Sequence, residues 1–211
     1  MKLPFLASFL VLIGIVFFRI RKSNHDYENE EQSFWEKEHK ANAVRKKSLD
    51  SLHYITIPDM LLSMDYSGDA ASTFVDCINT LTDLSTRKIV NFTGISNTDL
   101  KLTYGTANIT VLTEYDQNYT TLARTLQKVS EILYDAGLIE DAVSYLEFAV
   151  STGSDVSKTY FLLARIYKDR GEEDKIQGLI QKAEALQSLM KHTIVHTLQE
   201  SYLSDGLPHS S

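Results

Sequence analysis

Residues 158–186 read KTYFLLARIYKDRGEEDKIQGLIQKAEAL, and this stretch decides the fold. Apolar residues recur in it at helical spacing on both sides of Gly171, which predicts two helices joined by a short turn. The same kinds of residue occur 34 positions earlier around Gly137, where residues 124–152 read RTLQKVSEILYDAGLIEDAVSYLEFAVST. A period of 34 residues is typical of helix-turn-helix repeats that stack side by side. The sequence therefore predicts two helical hairpins over residues 122–190.

Equivalent positions of the two hairpins carry the residues that are expected to pack. Leu126, Val129, Ser130, Leu133, Ala142, Leu146 and Ala149 are followed 34 residues later by Tyr160, Leu163, Ala164, Tyr167, Ile176, Ile180 and Ala183. Small residues in this set let helices approach closely, and the larger ones fill the space between them. The alternative is a plain helical bundle in which the 34-residue coincidence is accidental.

The pattern resembles the tetratricopeptide family, and the second hairpin matches it better than the first. The residues that carry the match are Tyr160, Leu163, Ala164 and Tyr167 in the first helix, the turn glycine Gly171, and Ile176, Ile180 and Ala183 in the second helix. The proline that usually closes each unit is absent, and Ser154 and Ser188 stand in its place. The resemblance implies an all-α domain of two repeats and says almost nothing about a ligand.

Residues 1–22 have the composition of a membrane anchor. Sixteen uncharged and mostly apolar residues run from Leu3 to Phe18, and they are flanked by Lys2, Arg19, Arg21 and Lys22. A helix of this length spans roughly 24 Å, and basic side chains that snorkel at its ends cover the remaining bilayer thickness. A cleaved signal peptide is the alternative, but no small-x-small cleavage site follows Phe18. We therefore predict a retained transmembrane helix.

Charge around this segment predicts its orientation. Arg19, Arg21 and Lys22 outweigh Lys2 and the amino terminus, which places the rest of the chain in the cytoplasm. The N-x-S/T sequons at Asn91, Asn108 and Asn118 would suit an exported domain of a eukaryote, but such short motifs are common by chance. We expect a single-pass plasma-membrane protein with a cytoplasmic C-terminal domain.

Residues 23–52 are predicted to form a charged connector and a stalk helix. The connector is polar and acidic, and the helix is expected to run from Ser33 to Leu52. One interpretation is an amphipathic helix whose basic face meets anionic lipid, with Trp35 near the interface. The other is a solvated stalk in which Glu36 and Glu38 pair with neighbouring lysines. The acidic connector favours the stalk, because it separates the helix from the membrane.

The sequence predicts an irregular helical lead-in over residues 53–121. It predicts a C-terminal helix and tail over residues 191–211. Tyr54 to Pro58 is rich in strand formers and ends in proline, so it should be extended. A helix is expected from Ala70 to Leu84, and a shorter one between a cap at Ser96 and a stop at Gly105. Such flanking elements cover the apolar end faces that stacked repeats expose.

The lead-in is also similar to a group of small uncharacterised single-pass proteins from Gram-positive anaerobic bacteria. The carrying residues are Ala41-Asn42, Arg45 to Asp50, Tyr54 to Pro58, Ser96 to Lys101 and Tyr104-Gly105. This resemblance implies a bacterial plasma-membrane protein and supplies no activity.

Composition and motifs point away from nucleic acid and from catalysis. The formal net charge of -7 argues against a general nucleic-acid binder, because phosphate binding needs a basic footprint. Cys77 is the only cysteine, so the chain has no internal disulfide and no cysteine-based zinc site. His192 and His196 lie four residues apart but lack the acidic residue of H-E-x-x-H. We predict no catalytic activity, no cofactor and no metal.

The first helices of the two hairpins are predicted to line a partner-binding groove. Its residues are Arg124, Gln127, Glu131, Tyr134, Lys158, Phe161, Arg165 and Lys168. The second four are mostly basic with one aromatic, which suits a protein partner that offers an acidic or C-terminal peptide segment. The predicted function is a membrane-tethered scaffold for protein–protein interactions. One alternative is a structural or assembly factor that forms homo-oligomers through an uncapped repeat face, and another is an enzyme with an unrecognised site.

Overall fold

A computed structural model describes Arg19 and residues 31–203, and the structural statements below concern these residues. These residues are mostly helical and none of them lies in a strand, so the predicted all-α class is confirmed. The helices are α1 (residues 31–42), α2 (Asp59–Leu62), α3 (Ala71–Ser85), α4 (Asn97–Tyr104), α5 (Ile109–Asp135), α6 (Ile139–Ser151), α7 (Ser157–Asp169), α8 (Glu173–Glu184) and α9 (Lys191–Leu198). A 3-10 turn covers Thr106–Asn108, and a π-helical turn covers Gln199–Leu203.

The predicted transmembrane anchor, residues 1–22, lies outside the described residues except for Arg19. Among the helices that the structure describes, none has the length and apolar character needed to cross a membrane. The anchor therefore stays a prediction from the sequence.

The chain divides into two compact units, and the first combines residues 1–48 with Ser96–Ile109. In its described part, α1 is joined to α4 by charged side chains. Glu38 accepts a hydrogen bond from Thr98 Oγ1 at 2.7 Å and pairs with Lys101, and the bond from Lys101 is the main cause of a lowered pKa at Glu38. Lys37 pairs with Asp99 at 2.7 Å. Both acidic partners are thus bound across the two helices.

Helix α1 is shorter than the predicted stalk. We expect a helix from Ser33 to Leu52, but α1 ends at residue 42 and residues 44–49 have no regular structure. The backbone here bonds to another segment, because Lys47 N donates to Tyr104 O at 3.0 Å and Asn108 Nδ2 donates to Lys47 O at 2.8 Å. Tertiary hydrogen bonds of this kind satisfy the polar groups that a longer helix would have used. The stalk prediction is wrong beyond residue 42.

The short helix α4 is confirmed between its predicted cap and stop. Ser96 Oγ accepts a hydrogen bond from Asp99 N at 3.1 Å, which is the capping interaction expected at a helix start. Gly105 ends the helix with a φ of 91°. An added Cβ at this glycine would overlap the carbonyl oxygen of Arg45, so both the backbone conformation and the available space require glycine.

The second unit combines Leu49–Ile95 with Thr110–Ser211, and its lead-in packs on the first hairpin. One core cluster joins Phe74 and Leu81 of α3 to Leu122 and Leu126 of α5. The extended segment before α2 contributes buried Ile57 to the same cluster. The predicted helix from Ala70 to Leu84 is confirmed with a shift of one residue, as α3 covers Ala71–Ser85.

The hairpins α5–α6 and α7–α8 turn in the same way, 34 residues apart. Gly137 and Gly171 both have positive φ, 77° and 68°. Gly137 N donates to Tyr134 O and Gly171 N donates to Lys168 O, each at 3.0 Å. A Cβ at either glycine would meet no atom within 4 Å, so the left-handed backbone is what favours glycine there.

The core of the hairpins uses the positions that the sequence pairs. All of the paired positions are buried, namely Leu126, Val129, Ser130, Leu133, Ala142, Leu146, Ala149, Tyr160, Leu163, Ala164, Tyr167, Ile176, Ile180 and Ala183. Ser154 and Ser188, which stand in place of the family's proline, also act alike. Ser154 Oγ accepts from Val156 N at 3.3 Å, and Ser188 Oγ accepts from Met190 N at 3.1 Å. Each serine therefore organises the turn before the next helix.

Candidate functional site

Six of the eight predicted groove residues line one cleft between α5 and α7. The cleft has a volume of about 420 Å³. Its lining residues are Gln127, Glu131, Tyr134 and Asp135 of α5 and Lys158, Phe161, Leu162 and Arg165 of α7. Spacings of three and four residues put these side chains on one face of each helix. Arg124 and Lys168 are the two predicted residues that do not line it.

The base of the cleft is a polar contact between the helices. Gln127 is buried, and its Oε1 accepts a hydrogen bond from Thr159 Oγ1 at 2.6 Å. Its Nε2 donates to Glu131 Oε1 at 3.1 Å. Because Thr159 belongs to α7, its bond with Gln127 ties α5 to α7, and the bond to Glu131 fixes the amide along α5. We predicted a partner-facing role for this residue, and the structure gives it a supporting contact.

Charges of both signs line the cleft. Lys158 Nζ lies 3.4 Å from Glu131 Oε1, and both side chains are substantially exposed, so the pair contributes little to stability. Asp135 adds a second acidic side chain, which is not among the residues predicted from the sequence. The cleft is therefore less basic than predicted, with Lys158 and Arg165 set against Glu131 and Asp135.

Arg165 lies beside aromatic hydroxyl groups. A hydrogen bond with Tyr134 is the main cause that raises the pKa of Arg165, and Tyr202 acts in the same direction. An arginine is charged at any physiological pH, so the contact matters for position more than for protonation. The planar guanidinium is thus held where α7 meets the cleft and can offer its remaining donors to a carboxylate.

The C-terminal turn lies against α7 near Arg165. This contact is not predicted by the sequence. Tyr202 Oη donates a hydrogen bond to Phe161 O at 3.3 Å. Lys168 Nζ donates to Ser201 O at 3.2 Å and lies 5.9 Å from the centre of the Tyr202 ring. Lys168 is therefore engaged by its own chain, whereas Arg124 is simply exposed on α5. An aromatic residue in a polar tail was the only sequence signal for this contact.

Within residues 31–203, no three side chains are grouped as a metal site would require. His196 Nδ1 lies 3.2 Å from Glu200 on the protein surface. Cys77 is buried, and burial raises the pKa of its thiol, which is the opposite of what a nucleophilic cysteine needs.

All three sequon asparagines are used inside the fold. Asn91 Nδ2 donates to Thr152 O at 3.0 Å, and Asn108 Nδ2 donates to Lys47 O at 2.8 Å. Asn118 Nδ2 donates at 3.0 Å to a backbone carbonyl 30 residues earlier in the chain. N-glycosylation would attach a bulky group to these same nitrogen atoms. A glycan at any of the three would therefore compete with a hydrogen bond of the fold.

No protein-family model matches this chain, no curated protein matches it, and no solved structure matches it. The two family resemblances read from the sequence therefore stay hypotheses, and the function has to be argued from the residues of the chain.

Proposed function

We propose that this protein is a membrane-tethered scaffold that binds a protein partner through the cleft between α5 and α7. The observation that carries the proposal is the convergence of six groove residues, chosen by sequence register, on that one cleft. Charged and aromatic side chains dominate its lining, and such side chains are typical of peptide recognition. The proposed ligand is an extended peptide segment with an acidic residue that pairs with Lys158 or Arg165.

The repeat hypothesis also supports a binding role for the cleft. Two hairpins with equivalent glycine turns and buried equivalent positions are what a tetratricopeptide-like pair would require. In stacked repeats the first helices of successive units line a common surface, and α5 and α7 are those helices here. We therefore propose that this domain is tetratricopeptide-like and that the cleft is its ligand surface.

The membrane tether is proposed from residues 1–22 and their basic flank. The fate of the sequon asparagines favours the cytoplasmic side, since each Nδ2 is engaged by a backbone carbonyl. A domain that folds in the cytoplasm keeps these hydrogen bonds without competition from glycosylation. The proposed location is the inner face of the plasma membrane.

Charge reversal in the cleft tests the function. The full chain, solubilised with its native membrane in detergent, would be captured by affinity tag and its partners identified by mass spectrometry. Lys158→Glu with Arg165→Glu should reduce recovery of the main partner about tenfold or more, because both changes oppose an acidic ligand. The helical circular dichroism spectrum should not change.

A matched control separates the cleft from general surface charge. Arg87→Glu with Lys128→Glu alters charge by the same amount at exposed positions that do not line the cleft. This variant should recover the partner as the wild type does. Equal recovery by both double variants would refute the proposed cleft. Recovery of a second, differently tagged copy of the chain as the main partner would support the assembly-factor alternative instead.

A further inference from the structure

A second and larger cavity opens beside α8, and it shares no residue with the cleft. Its volume is about 620 Å³, within the range of small-molecule sites. Buried Leu61 of α2, Leu163 of α7 and Leu179 of α8 contribute to its wall, together with half-buried Phe148 of α6. Much of the wall is therefore apolar, and an occupant must offer apolar surface to it.

Gly178 is part of this wall and contributes no side chain to it. It lies in the interior of α8, where glycine is among the least favourable residues. Its φ is not positive, so the backbone conformation does not require glycine. A Cβ at this position would meet no atom within 4 Å, so packing among the described residues does not require it either. What the glycine does provide is space in the cavity.

Two lysines of α8 flank Gly178. Lys175, Gly178 and Lys182 are three and four residues apart and all line the cavity, so they share one face of the helix. Lys175 is already occupied, since it pairs with Glu172 at 2.8 Å and lies 5.1 Å from the centre of the Tyr167 ring. Lys182 is exposed and makes no ion pair within residues 31–203. Its ammonium group is available to an anion.

Glu147 is the acidic side chain among the lining residues, and it stands against two lysines. Glu147 accepts a hydrogen bond from Tyr167 Oη at 2.7 Å. Burial is the main cause that raises the pKa of Tyr167, and the hydrogen bond to Glu147 adds to it, so the phenol stays a neutral donor. The lining therefore carries two lysines against one glutamate, which is an excess of one positive charge beside the apolar wall.

We propose that this cavity binds an anionic amphiphile of the fatty-acid class. The acyl chain lies along the apolar wall, across the space left by Gly178, and the carboxylate pairs with Lys182. An uncharged lipid would leave Lys182 without a partner, and a compact polar anion would leave the apolar wall uncovered. This inference is independent of the proposed partner cleft, because the two sites have different lining residues.

The test uses the full chain in membrane vesicles and a photoreactive palmitate analogue as the probe. After irradiation, labelled peptides are mapped by mass spectrometry. Labelling of wild-type protein should concentrate on peptides of α6 and α8. Gly178→Leu should reduce this labelling about tenfold, because the added side chain takes up space in the cavity. Gly178→Ala adds a single methyl group and should reduce it much less.

A charge variant keeps the test decisive if the leucine variant fails to fold. Lys182→Glu should reduce labelling about fivefold by opposing the carboxylate. Lys128→Glu makes the same charge change at an exposed site on α5 and should leave labelling unchanged. The matching photoreactive alcohol, which lacks the carboxylate, should label more weakly than the palmitate analogue. Equal labelling by acid and alcohol, or equal labelling of Lys182→Glu and Lys128→Glu, would overturn the proposal.

Discussion

The cleft between α5 and α7 and the cavity beside α8 both use helix α7, but they offer opposite chemistry. Phe161 and Arg165 face the cleft, whereas Leu163 and Tyr167 line the cavity. The cleft is lined by charges that partly pair with one another, and its base is a hydrogen-bonded glutamine. The cavity has buried leucines in its wall and an exposed lysine at its rim. Helix α7 thus contributes to two different surfaces, the proposed peptide cleft on one face and the proposed acyl-chain cavity on the other.

This difference predicts unequal costs for removing leucine side chains from the two sites. Leu163 is buried in the cavity wall and packs within the core of the hairpins, whereas Leu162 is only partly buried beside the cleft. Leu163→Ala should lower the free energy of unfolding by about 2–5 kcal/mol, the usual cost of a large-to-small change in a core. Leu162→Ala should cost clearly less. Urea unfolding followed by circular dichroism would measure both, and a loss for Leu163→Ala no larger than that for Leu162→Ala would contradict the prediction.

A buried tyrosine that is bonded to a residue of the cavity wall should make the fold less stable at high pH. Tyr145 is buried and donates a hydrogen bond to Leu61 O at 2.6 Å, and burial raises the pKa of Tyr145 to about 12. The unfolded chain would lose this proton near the ordinary value of about 10. The stabilisation is therefore complete below about pH 10 and is lost as the pH rises to about 12, at a cost of roughly 2–3 kcal/mol.

Tyr145→Phe isolates this effect, because it removes the ionisable group. Unfolding curves between about pH 8 and 12 should fall less steeply for the variant than for the wild type. Parallel curves would show that Tyr145 ionises equally easily in both states. Tyr119 also has a pKa raised to about 12, mainly by burial, so part of the high-pH loss should remain in the variant.

The salt dependence of ligand binding should also differ between the two sites. This is the smallest of the expected effects. Peptide capture through exposed Lys158 and Arg165 should weaken a few-fold when ionic strength rises well above about 0.15 M, because surface charges are then screened. Palmitate labelling of the cavity depends mainly on apolar contact and should change less than about twofold. Parallel capture and labelling experiments at two salt concentrations would measure this. A cavity more sensitive to salt than the cleft would reverse the assignment of ligand classes.

Helical spacing is enough to place six of the named residues along one cleft, and the reason is local. Residues three and four apart share a helix face, so the register of Gln127, Glu131 and Tyr134 follows from the sequence alone. The glycine turns are also local, because a left-handed backbone strongly favours glycine. Asp135 was missed because it follows the counted positions, and the contact of Tyr202 with α7 was missed because nothing local specifies it.

The cavity and the end of α1 depend on contacts between distant segments. Gly178 is an isolated glycine in the sequence, and it gains meaning only when α2, α6 and α8 are placed around the same space. Helix α1 ends at residue 42 because the chain after it bonds to Tyr104 and Asn108. Charge pattern predicted a helix there, since the pattern carries no information about a partner some 60 residues away.

The engaged asparagines bear on where this protein can be made. Asn91 bonds to Thr152, which a ribosome adds 61 residues later. In a secretory compartment, a glycosyltransferase would meet the Asn91 sequon before its structural partner had been synthesised. A sugar added at that moment would replace one of the two hydrogens that Asn91 Nδ2 donates to the carbonyls of Thr152 and Gly153. Production through a eukaryotic export route should therefore weaken this connection in the folded chain, whereas synthesis in a bacterial cytoplasm removes that competition from the folding pathway.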